Sequence, residues 1–345
     1  MESAAASVET LSGPSIETLE AMLDVTYTWG YQETRQKLRD LYDKACRGQW
    51  ISDDVLPWKT DVDLGRPMGP EQLMPLYGSD IYNKMTAKEK HDLNVETFSW
   101  TLSQFMHGEQ GALLASAQLV GSVRDLDSKL YAASQVVDEA RHVDVYNRYV
   151  HTKIGFSYPV NPHLKTLLDM ILTDSRWDMK FLGMQIMVEG LALAAFGMIR
   201  NNTDEPLLKE LTAYVMGDEA RHVAFGVLSL RDYYREQPDS VKREREDFVY
   251  EAARLMRDRF LFQEVWEKTG LPAKQCMDIA LNNHGQVLFR QMLFAKIVPA
   301  IKKMDLLSDR QRQRFGELGI LQFEDWADPF ADMSATPSGC VSARL

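Results

Sequence analysis

Cysteine is scarce in this chain of 345 residues: there are three, Cys46, Cys276 and Cys340. Their spacing makes neither a disulfide framework nor a zinc site, which fits a reducing compartment. Positive charge is also in short supply. The net charge is −11 with no run of Lys or Arg, which excludes nucleic acid and an anionic membrane surface as main partners. Period-two alternation is rare and clusters of Val, Ile and Thr are short, so a β-sheet is not expected. The N-terminal residues MESAAASVETLSG hold no basic region and no apolar stretch of the kind a secretory leader needs, and the expected location is the cytoplasm. One apolar run, Phe181–Ile199, has the length of a membrane span, but Glu189 near its middle predicts a buried core helix.

What remains is helical. Apolar periodicity predicts helices over 17–47, 87–122, 125–152, 163–173, 175–201, 205–236, 238–269, 272–281 and 284–304. Pro57, Pro67, Pro70 and Pro75 make 51–80 a long ordered connection rather than a helix. Small polar residues mark 1–15 and 328–345 as flexible tails around a single helical domain, 16–327.

The pentapeptide DEARH occurs twice, at Asp138–His142 and Asp218–His222, 80 positions apart. The same offset carries Glu109 onto Glu189, and in each half the first Glu precedes the second by 30 residues. That length lets one helix finish and a second return antiparallel to the same height. On a helix, residues i and i+3 lie about 60° apart and about 4.5 Å along the axis, so Glu139 and His142 share a face, as do Glu219 and His222. Glu189 is the only ionisable residue between Lys180 and Arg200, and Glu109 has only His107 as a titratable neighbour in its apolar surroundings. A lone buried carboxylate protonates unless a cation meets it. Four carboxylates and two imidazoles therefore match two divalent cations, with a Glu from each of two helices and Glu-x-x-His from each of two others. Such ligands suit iron or manganese better than zinc.

On these residues the chain resembles the ferritin-like diiron-carboxylate superfamily. The doubled Asp-Glu-x-Arg-His form is most similar to hydroxylase subunits of bacterial multicomponent monooxygenases; the pattern is also similar to ribonucleotide reductase small subunits and arylamine N-oxygenases. The resemblance implies an all-α fold, a ferritin-like four-helix bundle over about 87–236 with additional N- and C-terminal helices. It implies that Asp138 and Asp218 each accept the ring N–H of the opposite motif's His, with Arg141 and Arg221 neutralising them. It further implies two Fe ions (or Mn), O2 as co-substrate, an electron donor such as a ferredoxin or flavin reductase, and a homodimer. Departures are visible too. Arylamine N-oxygenases carry a further His four residues before the last Glu, where this chain has Val215, which counts against that subclass without excluding amine substrates. The hydroxylases carry a threonine four residues after the third Glu, where this chain has Leu193.

Neighbours one turn from the single carboxylates are the expected substrate wall: Phe105, Met106, Ala112 and Leu113 beside Glu109, and Gln185, Ile186, Ala192 and Leu193 beside Glu189. Tyr146, one turn beyond His142, stands where the reductase subunits carry their radical tyrosine. His107 and the recurring Gly183, Gly190 and Gly197 are read as structural. The expected activity is O2-dependent hydroxylation, desaturation or N-oxygenation of a small, largely apolar or aromatic molecule. The alternatives are a radical-storing subunit and a ferroxidase or iron-handling protein.

Overall fold

A computed structural model describes residues 16–326, so the two expected tails, 1–15 and 328–345, and Cys340 lie outside the described residues. Among the described residues there is no strand. The longer helices are α1 (Gln36–Arg47), α2 (Ala87–Ser122), α3 (Leu126–Tyr149), α4 (Pro162–Thr173), α5 (Trp177–Asn202), α6 (Pro206–Arg235) and α7 (Asp239–Asp258). The short helices α8 (Gln263–Lys268), α9 (Ala273–Asn282), α10 (His284–Met292), α11 (Ile297–Lys303) and α12 (Asp309–Glu317) follow.

Local sequence sets where the bundle helices begin. Thr86 and Glu89 form a reciprocal capping box ahead of α2. Asp125 accepts from the Ser128 amide at the start of α3. Asn161 and Glu205 cap α4 and α6, each followed by a proline whose missing N–H is no loss in the first turn. Short links at 123–125 and 203–205 fold α2 against α3 and α5 against α6 as two hairpins, and these four helices make the bundle. Helix α1 crosses α3 and α6 at one face, while α7 packs on α4 and α5. The apolar α5 passes through the interior, with most of its central window buried by protein.

Helix α5 is not regular throughout. Leu182–Val188, immediately before Glu189, is a π-helical stretch, so its side chains are rotated relative to a 3.6-residue period. Gly226 of α6 lies against this stretch, where a Cβ would stand 2.7 Å from the Gln185 Cβ. Gly183, Gly190 and Gly197 face Ile171, Ile297 and Met216 respectively, so each serves packing against a different neighbour.

Three helix boundaries differ from expectation. Residues 16–34 form no helix and are mostly exposed; the helix expected from 17 starts only at Gln36. The β-branched and aromatic stretch VTYTWGY is a poor helix former, and its polar groups bind elsewhere. The Thr26 N–H donates to the Gly121 carbonyl, and the Thr34 and Arg35 amides donate to Asp127 Oδ2. The helix expected over 238–269 breaks at Arg259–Phe262, where Phe260 leaves helical geometry and Phe262 has φ +56°. The one expected over 284–304 is interrupted between Met292 and Ile297. Helix α12 was not anticipated, because its sequence DRQRQRFGE offers one buried apolar anchor, Phe315.

Candidate metal centre

Four helices each deliver a buried carboxylate to one point: Glu109 from α2, Glu139 from α3, Glu189 from α5 and Glu219 from α6, with His142 and His222 one turn after the second and fourth. All six are at most 5% exposed. Two groups of donor atoms emerge, Glu109, Glu139, His142 and Glu219 in one and Glu139, Glu189 and His222 in the other. His142 Nδ1 stands 3.3 Å from Glu109, 3.2 Å from Glu219 and 3.5 Å from Glu139. His222 Nδ1 stands 3.1 Å from Glu139 and 3.7 Å from Glu219. The two groups do not follow the two motifs: Glu139 belongs to both, and Glu219 groups with His142 rather than with its own His222.

The outer faces of both imidazoles are fixed. A carboxylate only accepts, so His142 Nε2–H donates to Asp218 (3.1 Å) and His222 Nε2–H donates to Asp138 (3.3 Å). Each Nδ1 is left facing the carboxylates. Arg141 Nη2 bridges Asp138 (2.5 Å) and Asp218 (3.2 Å), and Arg221 pairs with Asp218 and stands 3.6 Å from Asp138. Two residues just after α1, not identified from sequence, close this layer. Trp50 Nε1–H donates to Asp218 (2.8 Å) and lies under the Arg141 guanidinium, and Gln49 Nε2–H donates to Asp138 (2.9 Å). Gln135, one turn before Glu139, donates from one Nε2 to Glu139 (3.0 Å) and Glu189 (2.9 Å).

The inner faces are the reverse. Glu139 Oε2, Glu189 Oε2, both Glu219 oxygens and His222 Nδ1 are buried without a hydrogen-bond partner. Unpaired buried carboxylate oxygens aimed at each other repel unless cations lie between them, so this donor set fits two divalent ions. Protons take that place in the bare protein. Burial and the Glu219 charge hold Glu109 and Glu189 well above the usual carboxylate range. Burial opposes a charge on either imidazole, yet the surrounding carboxylates outweigh it and raise both His142 and His222 well above normal. Burial would likewise raise Glu139, but His222 and His142 on either side hold it low.

Beside the carboxylates is a cavity of about 20 Å³, walled by Phe105, Gly108, Ala112, Val188, Ala192 and Phe196, with Glu109, Glu189 and Glu219 at one side and Gln104 and Arg259 completing it. Of the expected substrate wall, Phe105, Ala112 and Ala192 are here. Leu113 and Leu193 are not, because the cavity lies on the i−1 and i+3 side of Glu109 and Glu189 rather than the i+4 side. Gln185 is turned away by the π-helical stretch and faces Gln135 at 3.5 Å. Tyr146 is buried behind the wall, its ring 6.0 Å from Phe105 and 5.8 Å from Phe196. His107 Nε2 meets the Tyr158 carbonyl at 2.9 Å, a structural contact.

The family model of the p-aminobenzoate N-oxygenase AurF matches residues 31–305. The chain belongs to the AurF family. It is an O2-dependent diiron oxidoreductase of ferritin-like fold, and the departure at Val215 does not take it out of this family. No curated protein matches the sequence. Among solved structures, a variant of an R2-like ligand-binding oxidase with an anaerobically reconstituted Mn/Fe cofactor aligns at 18% identity and a TM-score of 0.47, covering 78% of this chain and 93% of that one. An R2-like ligand-binding oxidase with an aerobically reconstituted cofactor after photoconversion aligns at 17% identity and a TM-score of 0.44, covering 80% and 92%.

Proposed function

We propose that this protein is an arylamine N-oxygenase, oxidising the nitrogen of a small aromatic amine with O2 at two irons held by Glu109, Glu139, His142, Glu189, Glu219 and His222. The observation that carries this reading is the apolar, aromatic-walled cavity set directly against Glu109, Glu189 and Glu219 in a chain of this family. When bound, the irons supply the O2 reduction and the oxidising equivalents. Manganese is the alternative occupant, since carboxylates and imidazoles suit both ions. The protein's own part is positional. Asp138 and Asp218 hold the Nε2 protons of His222 and His142, which keeps each Nδ1 lone pair toward the ions. Gln135 orients Glu139 and Glu189 through one amide. Phe105 and Phe196, 4.7 Å apart edge to face, keep water from the inner oxygens. The cavity has room for roughly one water, so a substrate enters only as wall side chains rotate, a common adjustment on binding.

Val215 is fully buried four residues before Glu219, so this chain offers no imidazole there. In this reading the six-residue donor set suffices. A ferredoxin or flavin reductase supplies the electrons, the protein works in the cytoplasm, and it assembles as a homodimer. The radical-storing and iron-handling alternatives share the bundle but gain no support from the AurF family match.

The test is to load the protein with iron(II) without oxygen, add O2 with a panel of arylamines, and look for N-oxygenated products by mass spectrometry. Oxidation at carbon only would replace this reading with the hydroxylase or desaturase one. Uptake of fewer than two metals per chain under every condition would end it.

A further inference from the structure

Between residues 16 and 31 six large apolar side chains, Ile16, Met22, Val25, Tyr27, Trp29 and Tyr31, are each 70% or more exposed, and no other stretch of the described residues shows so many. Their order inverts that of an ordinary surface. Thr26 and Thr28 are half-buried against the bundle, the Thr26 N–H donating to the Gly121 carbonyl and the Thr28 hydroxyl to the Arg124 carbonyl, while Val25, Tyr27 and Trp29 alternate with them toward solvent. Three aromatic rings at this exposure leave roughly 300–500 Å² in water, as much as the largest apolar patch of a typical monomer.

The helix beside this arm continues the patch. From Thr97 to Val123, α2 has no charged residue except the buried Glu109, and Gln110, Leu114, Ala117 and Gly121 form one stripe whose first three members are exposed. Val25 meets the arm's end of that stripe, where a Cβ on Gly121 would stand 4.0 Å from it. At the other end Glu17 pairs with Lys165 of α4 at 2.8 Å, one turn before Leu168, which packs on Gly111. The arm therefore runs along α2 from the height of Gly111 to that of Gly121, with Leu114 and Ala117 beside it. We propose that this arm and the exposed stripe of α2 are the docking surface for a second copy of the chain. In a twofold contact each patch meets its own copy, so any surface charge of one sign opposes itself, and two chains of net charge −11 repel over most of their area. Residues 25–32 carry no charge and the α2 stripe none, so here the two copies meet without that cost. Ile16, Met22, Val25 and Leu114 bring the apolar area of the rings toward the roughly 800 Å² per partner of a stable interface. Most of the arm precedes residues 31–305, the part that the family model matches, so the contact is a feature of this chain. The assignment rests on the homodimer proposed above and not on the N-oxygenase chemistry.

The experiment is sedimentation velocity of the full chain from about 1 to about 100 µM, alone and with phosphatidylcholine vesicles. Wild type should be a dimer at about 10 µM. Trp29→Glu and Leu114→Glu should each weaken it by at least about tenfold, while Leu288→Glu, exposed on α10, leaves it within about twofold. Circular dichroism of all three should match wild type, since these side chains are exposed within one copy. Hydrogen exchange at 25–31 and 110–121 should slow as concentration rises. A monomer at about 100 µM, a dimer indifferent to both substitutions, protection confined to other residues, loss of helix in both variants, or a monomer that sediments with the vesicles instead would overturn the assignment. No substrate or O2 is present, so failure of dimer formation here and failure of N-oxygenation are read separately.

Discussion

The two sides of the candidate metal centre both rest on buried carboxylates and treat them oppositely. On the outer side Asp138, Asp218, Arg141, Arg221, Gln49 and Trp50 form a layer in which both Asp residues are multiply bonded. On the inner side four carboxylate oxygens lie buried without a partner. Paired charges fix geometry, whereas unpaired ones wait for an ion. The difference teaches that a repeated motif in this chain presents two kinds of group, its Asp and Arg paired with one another and its Glu and His left facing the centre.

The comparison breaks most completely at Glu139, which belongs to both donor groups. Glu139→Gln should reduce uptake to one iron per chain or none and bring product below detection, read by metal analysis after anaerobic loading. A variant that still holds two irons would show that the groups do not share this ligand.

A change of pH tests the inner side as a whole. Glu109, Glu189, His142 and His222 are all raised, so the bare fold keeps their protons and loses that stabilisation as pH rises through the raised values. Glu139 is lowered and has the opposite sign, but its change falls below the normal carboxylate range. Between about pH 6 and about pH 8 the iron affinity should therefore rise, by about tenfold per pH unit for each proton displaced, and the gap in melting temperature between loaded and bare protein should widen. A gap that is constant or narrows would mean that protons do not stand in for the ions.

The outer side should give smaller effects. Asp218→Asn leaves His142 Nε2 a weaker partner and should lower iron affinity or turnover by about 10- to 100-fold, measured by chelator competition. An effect as large as that of Glu139→Gln would erase the distinction between positioning and binding. Smallest for the chemistry is Gly226→Ala, which drives a Cβ into Gln185 on the π-helical stretch. It should cost about 1–3 kcal/mol of stability in denaturant unfolding while two irons still bind.

Much of this was legible without coordinates. The four bundle helices lie within a few residues of their expected bounds, because capping residues and long apolar periods are local signals. The six donors could be named because no packing argument explains single carboxylates in apolar helices 80 residues apart. The wall of the cavity was only half legible. Extrapolating a 3.6-residue period placed Gln185 beside Glu189, and the π-helical stretch moved it away. Residues 16–34 misled in a similar way: their hydrogen bonds reach Gly121, Arg124 and Asp127, about a hundred positions distant, and local propensity does not register such partners.

The sequence by itself determined an all-helical chain and the identity of the groups at its centre, since a repeat with buried charge admits few chemical explanations. Only the tertiary structure decided that Glu139 is shared, that Trp50 and Gln49 brace the outer Asp residues, and that Arg259 enters the cavity unpaired. Those facts depend on helices far apart in the chain meeting at one depth and one rotation, and a π turn or a broken helix end shifts both without leaving a mark in the local pattern.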